Sequence, residues 1–221
     1  MTTTLDTSEF VVRTIAQTAV DNEKYFGDLD SVVGDGDFGY SLARGFEGVL
    51  ADWEGFDRTD AGTFLLKIAV AITSRIGGTS GPIWGTAFMK TGMKLKGIDE
   101  ASHADVVAAL REGIDGIKKR GNSDVGDKTL LDALVPAVDA LDRAMSSGAS
   151  VQDALDATAV AAREAAEATT SMKALRGRAS YSGDRSIGSP DAGAIAVAVL
   201  AEKLALNWRE RPLPALNRPT T

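Results

Sequence analysis

The sequence predicts an all-α protein built as a single domain of antiparallel helices. Apolar residues recur at helical spacing along most of the 221 residues. Hydrophobic residues make up 44% of the chain and aromatic residues only 6%, so Ala, Leu, Val and Ile must form the core, which favours closely packed helices. Alternating strand patterns are scarce and no linker divides the chain. We therefore expect one folded domain over 1–210 and a loose, proline-rich tail at 211–221.

The first half of the chain carries four of eight expected helices. A helical pattern runs from Tyr40 to Leu50, and the stretch that ends at Ile76 is too long and too rich in Ala for a buried strand. Pro82 suits the first turn of the helix that follows. The expected bounds in this half are 8–26, 38–54, 60–75 and 81–96.

The second half shows clearer start signals. Ser102 and Ser150 each precede an Asp by three residues, which is the spacing of a capping box, and apolar stripes follow both. Pro190 fits the first turn of a last helix. The expected bounds in this half are 103–119, 128–146, 151–173 and 190–208.

Composition excludes several classes of function. The net charge of −7 argues against nucleic-acid binding and against an anionic membrane surface. The longest apolar run, 194–201, is far below the about 20 residues of a spanning helix. The N-terminal residues show no leader pattern, so the expected location is the cytoplasm. The chain has no Cys and only one His, His103, which is expected as a surface residue of a first turn, and it lacks GxxxxGK[ST], GxGxxG and GxSxG.

An aspartate-rich segment, LDSVVGDGDFG, is the strongest candidate site. Asp30, Asp35 and Asp37 fall within eight residues and are interspersed with glycine. Carboxylates this close repel one another unless a cation lies between them, and Mg²⁺ prefers oxygen ligands. The loop leads into a helix N-terminus, which favours phosphate. A second interpretation stays open, in which the segment is an acidic turn with Asp37 as an N-cap.

Four loops rich in glycine and polar residues follow the first, third, fifth and seventh predicted helices. Alternate connections of an up-and-down bundle lie at the same end, so these loops are expected to form one site. The loops are 33–39, 76–88, 119–129 and 173–193.

Each loop also has a purely structural interpretation. Thr79 and Ser80 could simply cap the next helix, Asp127 could be an N-cap, and Lys128 could be solvated. The basic residues of the last loop could form a solvated face, although a long loop in an acidic, compact domain is often functional.

Together the motifs VGDGDFG, GGTSGPIWGTAF, GDKTLLDALVPAV and KALRGRASYSGDRSIGSPDAGA resemble those of the dihydroxyacetone kinase L subunit, which is also the C-terminal domain of fused dihydroxyacetone kinases. The resemblance runs in order from about residue 5 to 208. It implies an eight-helix antiparallel barrel that binds ADP or ATP through two Mg²⁺ ions at one rim.

The resemblance also implies roles for individual residues. Asp30, Asp35 and Asp37 would ligate the metal ions, and Arg178 would act on the phosphates as the catalytic residue. The implied nucleotide contacts are Phe38, Gly39, Tyr40, Ser41, Thr79, Ser80, Gly121, Leu130, Arg178, Asp191, Ala192 and Gly193. One position departs from the family, because Phe38 stands where the family often has His.

In this family a separate K subunit holds the small ketose on a histidine, and this chain offers no equivalent residue. The resemblance therefore implies a K-subunit partner, and the phosphoryl donor is either exchanging ATP or a phosphotransferase-system protein that rephosphorylates bound ADP. Three alternatives stay open: another ketose such as erythrulose, a nucleotide-loaded regulatory module, and a helical scaffold that binds nothing. Whether the chain forms a homodimer is also left open.

Overall fold

The computed structural model describes residues 3–211, which form nine α-helices and no β-strand. Three short 3₁₀ segments, at Trp53–Gly55, Thr169–Ser171 and Arg178–Ser186, accompany them. The helices are α1 (Thr4–Asp21), α2 (Glu23–Asp30), α3 (Phe38–Ala51), α4 (Ala61–Arg75), α5 (Ser80–Leu95), α6 (His103–Gly121), α7 (Leu131–Ser146), α8 (Val151–Ala168) and α9 (Ala192–Arg209).

The helices form a closed ring around one core. From α2 to α9 each helix packs against its neighbour in sequence, while α1 packs against α3 and α9. The main core cluster draws side chains from all nine helices, and Phe26, Phe46 and Phe64 are its largest fully buried members. A smaller cluster lies between α6 and α7. The predicted single all-α domain is confirmed, with α1 and α2 together taking the place of the first predicted helix.

The break between α1 and α2 falls at Asn22. Its side-chain amide donates to the carbonyl of Thr18 at 2.8 Å, and its backbone leaves the helical region. Asn side chains compete in this way for helix carbonyls, so the first predicted helix is split. The helix also begins earlier than predicted, because a capping box between Thr3 and Asp6 starts α1 at Thr4.

Two helices of the second half, α7 and α9, begin two or three residues later than predicted. The helix expected from 128 begins at Leu131, because Lys128 has a φ of 59° and cannot belong to a right-handed helix. The helix expected from 190 begins at Ala192 with Asp191 as its cap, which leaves Pro190 just outside. The helix expected to reach 173 ends at Ala168 in a 3₁₀ turn.

The antiparallel ring has two distinct ends. We call the end at which α3, α5, α7 and α9 begin the rim. At the opposite end, Thr4 of α1 bonds through its amide and hydroxyl to the carbonyl of Asp99, both at 2.9 Å. Of the tail expected at 211–221, only Arg211 belongs to the described residues, and its guanidinium lies over the rings of Phe10 and Trp208. Within residues 3–211, no helix combines the length and apolarity needed to cross a bilayer.

Candidate functional site

The three predicted aspartates converge at the rim. Oxygen atoms of Asp30, Asp35 and Asp37 all lie within 4.8 Å of one another. Asp30 is the last residue of α2, and its carboxylate accepts the backbone N–H of Gly36 at 2.9 Å and that of Phe38 at 3.4 Å. Asp30 therefore folds the loop back on itself and brings the other two carboxylates to its side.

Two glycines make this turn possible. Gly36 has a φ of 76°, a conformation that a residue with a side chain rarely adopts. Gly39, in the first turn of α3, lies directly against the backbone of α2, and a Cβ there would overlap the carbonyl oxygen of Glu23. The start of α3 can thus approach the first half of α2 closely.

Asp37 occupies the N-cap position of α3, but its side chain makes no capping hydrogen bond. The interpretation of this residue as a simple cap is therefore not supported. Removal from water and then the charge of Asp35 raise the pKa of the Asp37 carboxyl above its usual value, while Arg178 partly opposes them. A cation between the carboxylates would relieve this repulsion.

Arg178 reaches the aspartates from the fourth loop. Its guanidinium pairs with Asp35 and lies 4.0 Å from a carboxylate oxygen of Asp37, while 64% of its side chain stays exposed. In the same 3₁₀ segment, the hydroxyl of Ser182 donates to the carbonyl of Val33 at 3.0 Å. The fourth loop therefore lies over the first, as the parity of the connections predicts.

The third loop is bound to the base of the fourth. The carbonyl of Asp127 accepts the N–H of Leu175 at 3.0 Å, and its carboxylate pairs with Arg176 at 3.1 Å. Asp127 is not an N-cap, because α7 begins four residues later, after Leu130. The buried Asp132 shapes the loop instead, since its carboxylate accepts the N–H groups of Gly126 and Thr129.

Lys128 is buried, so the interpretation of this residue as solvated is wrong. Its side chain points inward from the third loop, and only 2% of the residue is exposed. Removal from water lowers the pKa of its ammonium, and the charge of Asp191 partly offsets that effect. Its hydrogen-bond partners are backbone carbonyls. Every residue has a backbone carbonyl, so the sequence gives no signal for these contacts.

Leu130 and the start of α9 lie together. A Cβ on Gly193 would be 3.3 Å from the Cβ of Leu130, so the two backbones are nearly in contact. Asp191 caps α9 by accepting the N–H of Ala194 at 2.7 Å. Burial is the main reason that the pKa of Asp191 rises to about 7, and the charge of Asp132 adds to it. Ala192, the first residue of α9, completes this predicted group.

The second loop carries Thr79 and Ser80 at the start of α5. Thr79 is the N-cap of α5 without a side-chain capping bond, so its hydroxyl does not serve the helix. A Cβ on Gly121 would be 3.2 Å from Ile83, which places the end of α6 against the first turn of α5. Among residues 3–211, no hydrogen bond or ion pair joins Thr79 or Ser80 to the aspartate cluster.

The remaining predicted residues belong to the first turn of α3. Phe38 packs against the core, with its ring centroid 6.1 Å from that of Phe26. Tyr40 is exposed beside the guanidinium of Arg44, and the N–H of Ser41 donates to the carbonyl of Asp37 at 2.8 Å. The side chain at position 38 therefore has a packing role in this protein. His103 is the exposed first residue of α6, as expected.

Comparison with known proteins is consistent with this geometry. The family model of the DAK2 domain matches residues 32–206. The ADP-binding subunit DhaL of the PEP-dependent dihydroxyacetone kinase of Escherichia coli is 36% identical over 187 residues, which cover 85% of this chain and 89% of that subunit. The L-erythrulose 1-kinase of Mycolicibacterium smegmatis is 40% identical over 196 residues, which cover 88% of this chain and 34% of the kinase.

A solved structure shares the fold. The dihydroxyacetone kinase of C. freundii in complex with AMP-PNP and Mg²⁺ superposes with a TM-score of 0.73 at 29% identity. The match covers 90% of this chain and 33% of that one. The chain thus spans about a third of the length of this kinase and of the erythrulose kinase, and most of the length of DhaL.

Proposed function

The chain belongs to the DAK2 domain family, the family of the dihydroxyacetone kinase L subunit, and we propose that it is the ADP- or ATP-binding subunit of a ketose kinase. Its relatives are dihydroxyacetone and erythrulose kinases. In this proposal, a phosphoryl group passes from the bound nucleotide to a hydroxyl of a short ketose that a separate K subunit holds. The observation that carries the proposal is the convergence of Asp30, Asp35 and Asp37 beneath Arg178.

The aspartate cluster fits magnesium. All three donors are carboxylates, they lie within 4.8 Å of one another, and the pKa of Asp37 is raised by its surroundings. We infer that Asp30, Asp35 and Asp37 hold two Mg²⁺ ions. Bound Mg²⁺ would neutralise phosphate charge, which lets an acidic protein bind a polyphosphate.

The chain's own groups would position the nucleotide around this cluster. Arg178 would stabilise charge on the oxygens of the phosphoryl group during transfer, which is the part that an arginine plays in many phosphoryl-transfer enzymes. Its exposure and its reach across the first loop support that role. The other inferred contacts are the backbone of 38–41 and the hydroxyls of Thr79 and Ser80 for phosphate, and Gly121, Leu130, Asp191, Ala192 and Gly193 for the base and ribose.

The rim also offers a surface for the K subunit. Tyr181, in the 3₁₀ segment that carries Arg178, is 90% exposed, and the apolar side chains of Val32, Leu175 and Ile187 are exposed on the rim loops. Clustered exposed apolar residues often mark protein interfaces. This chain has no histidine equivalent to the one that holds the ketose in the K subunit. Docking of the K subunit at this face would bring the ketose to the phosphoryl group.

Erythrulose is a second candidate acceptor. The erythrulose kinase of M. smegmatis is 40% identical, compared with 36% for DhaL of E. coli, and Phe38 replaces the histidine frequent in the family. Assays with a K subunit and either dihydroxyacetone or erythrulose would separate the two acceptors.

The nucleotide content of the purified chain tests the proposal. We expect denatured protein to release ADP when the donor is a phosphotransferase-system protein. When ATP is an exchanging substrate, the chain would be purified free of nucleotide and would bind ATP in the presence of Mg²⁺. Absence of nucleotide binding at every Mg²⁺ concentration would refute the proposal, and bound ADP without transfer in the presence of a K subunit would indicate a regulatory module.

A further inference from the structure

A buried lysine closes the base of the loop that carries Arg178. The ammonium of Lys128 donates to three backbone carbonyls, those of Met172 at 3.0 Å, Ser189 at 2.7 Å and Ser186. An ammonium has three N–H groups, so its hydrogen-bonding capacity is filled. No carboxylate of residues 3–211 forms an ion pair with it. Burying a lysine is costly, which suggests that these contacts have a purpose beyond packing.

The three carbonyls belong to the two ends of one loop. Met172 is the first residue of the 172–189 loop, Ser186 is the last residue of the 3₁₀ segment that contains Arg178, and Ser189 ends the loop. Two further bonds join the same ends: the N–H of Ala174 donates to the hydroxyl of Ser186 at 2.9 Å, and the N–H of Gly188 donates to the carbonyl of Thr170 at 2.8 Å. Lys128 thus lies where the loop leaves and rejoins the bundle.

Within residues 3–211, two residues at the tip of the loop form hydrogen bonds or ion pairs with the aspartate loop. Arg178 pairs with Asp35, and Ser182 bonds to Val33. Exposed contacts of this kind are weak by themselves. The position of the tip must therefore depend on how firmly the base is held.

The backbone of the third loop aims Lys128 inward. Lys128 has a φ of 59°, which is uncommon for a residue with a side chain. Asp132 holds this conformation by accepting the N–H groups on either side, those of Gly126 at 2.6 Å and Thr129 at 2.7 Å. The same segment leads directly to Leu130, which borders Gly193.

We propose that Lys128 is a positioning residue that closes the base of the 172–189 loop and so holds Arg178 over the aspartate cluster. The expected consequence, tighter binding of the nucleotide phosphates, rests on the proposed function. The closure of the loop by Lys128 does not depend on the proposed function.

The structural part can be tested without any ligand. The loop contains four trypsin sites, after Lys173, Arg176, Arg178 and Arg185. In Lys128→Met we expect cleavage in this loop to become at least about tenfold faster, because local opening controls proteolysis. Lys67→Met, which replaces an exposed lysine of α4, should leave the rate unchanged.

The functional part is tested by binding of ADP in the presence of Mg²⁺. We expect Lys128→Met to weaken binding about tenfold. If Lys128 acts through Arg178, the double variant Lys128→Met/Arg178→Ala should bind at most about twofold more weakly than Arg178→Ala, because coupled residues are not additive. Fully additive losses would overturn the proposed route through Arg178.

Folding is checked by far-UV circular dichroism. If Lys128→Met does not fold, Ser186→Ala replaces it, because this change loosens the same base without stranding a buried charge, and the same changes in cleavage and binding are expected. Unchanged loop cleavage in a folded variant would overturn the inference. Failure of the wild-type chain to bind ADP would instead refute the proposed function and leave the cleavage test valid.

Discussion

The two ends of the bundle differ in how the N-termini of their helices are capped. At the opposite end, α1, α4, α6 and α8 are all capped by side chains, those of Thr3, Asp60, Ser102 and Ser150. At the rim, α3, α5 and α7 begin without a side-chain cap, and only α9 has one. Caps stabilise helices, so the rim forgoes stability that the opposite end retains. At α3 and α7 the first N–H group already donates to a side chain, that of Asp30 and that of Thr129 respectively, so the start of α5, which has no side-chain cap, suits an anion best.

The acidic groups differ in the same way. At the opposite end, hydrogen bonds from Thr3, Thr63 and Ser102 lower the pKa of Asp6, Asp60 and Asp105 respectively. At the rim, burial raises the pKa of both Asp37 and Asp191. The protein itself therefore stabilises Asp6, Asp60 and Asp105, whereas a cation bound between Asp35 and Asp37 would stabilise Asp37.

The largest expected effect follows from removing a rim carboxylate. Asp35→Ala should weaken Mg²⁺-dependent ADP binding by at least about 1000-fold, more than the about 100-fold typical of residues that only support a metal ligand. Titration calorimetry would measure the loss, and the helical circular dichroism signal should persist. Asp115→Ala, at an exposed acid of α6, is the matched control. Wild-type affinity in Asp35→Ala would refute the metal role.

The second effect concerns catalysis. Arg178→Ala should lower phosphoryl transfer about 100-fold in the presence of a K subunit, because charge on the moving group loses a partner. Arg185→Ala provides the comparison, since Arg185 is exposed in the same loop. Equal turnover in the two variants would remove Arg178 from the mechanism.

A third, smaller effect depends on pH. The pKa of Asp191 is about 7 in the folded protein and near 3.9 in an unfolded chain, so the folded state binds the proton more tightly. Stability should therefore fall relative to Asp191→Asn as pH rises from about 4 to about 7, by about 1–2 kcal/mol after allowance for partial exposure. Asn retains the cap. Urea unfolding across this range would measure the difference, and parallel curves for the two proteins would contradict the assignment.

The smallest effects compare one hydroxyl at each end. Ser102→Ala should cost about 1 kcal/mol of unfolding free energy and leave ADP affinity unchanged, because it removes a cap. Thr79→Ala should leave the unfolding free energy within about 0.5 kcal/mol, because its hydroxyl does not cap α5. It should weaken ADP binding about tenfold, because the proposed hydrogen bond to phosphate is lost. The reverse pattern, measured by thermal unfolding and calorimetry, would show that the two ends are not specialised as described.

Much of the fold could be predicted because helices carry a periodic signal. The stripes after Ser102 and Ser150 predicted α6 and α8 with correct start residues. The break at Asn22 could not be predicted, because it depends on one side chain that competes for a single carbonyl.

The geometry of the candidate site was predictable where it depends on residue type and sequence spacing. The cluster of Asp30, Asp35 and Asp37 was one such case, and the structure brings their oxygens together. The burial of Lys128 was not predictable, because it depends on carbonyls at least 44 residues further along the chain. The same holds for the raised pKa of Asp191, which reflects its burial in the folded protein and then the charge of Asp132.

The contact between Ser182 and Val33 joins residues 149 positions apart, across the point where the ring closes. During synthesis the aspartates are therefore made well before Arg178. At about 5–20 residues per second, Arg178 is added roughly 7–30 s after Asp35. In that interval the acidic loop lacks Arg178, which belongs to the proposed nucleotide site. Binding of the nucleotide would then require that α9 has packed against α1. By mass action, the bound nucleotide would also stabilise the closed ring.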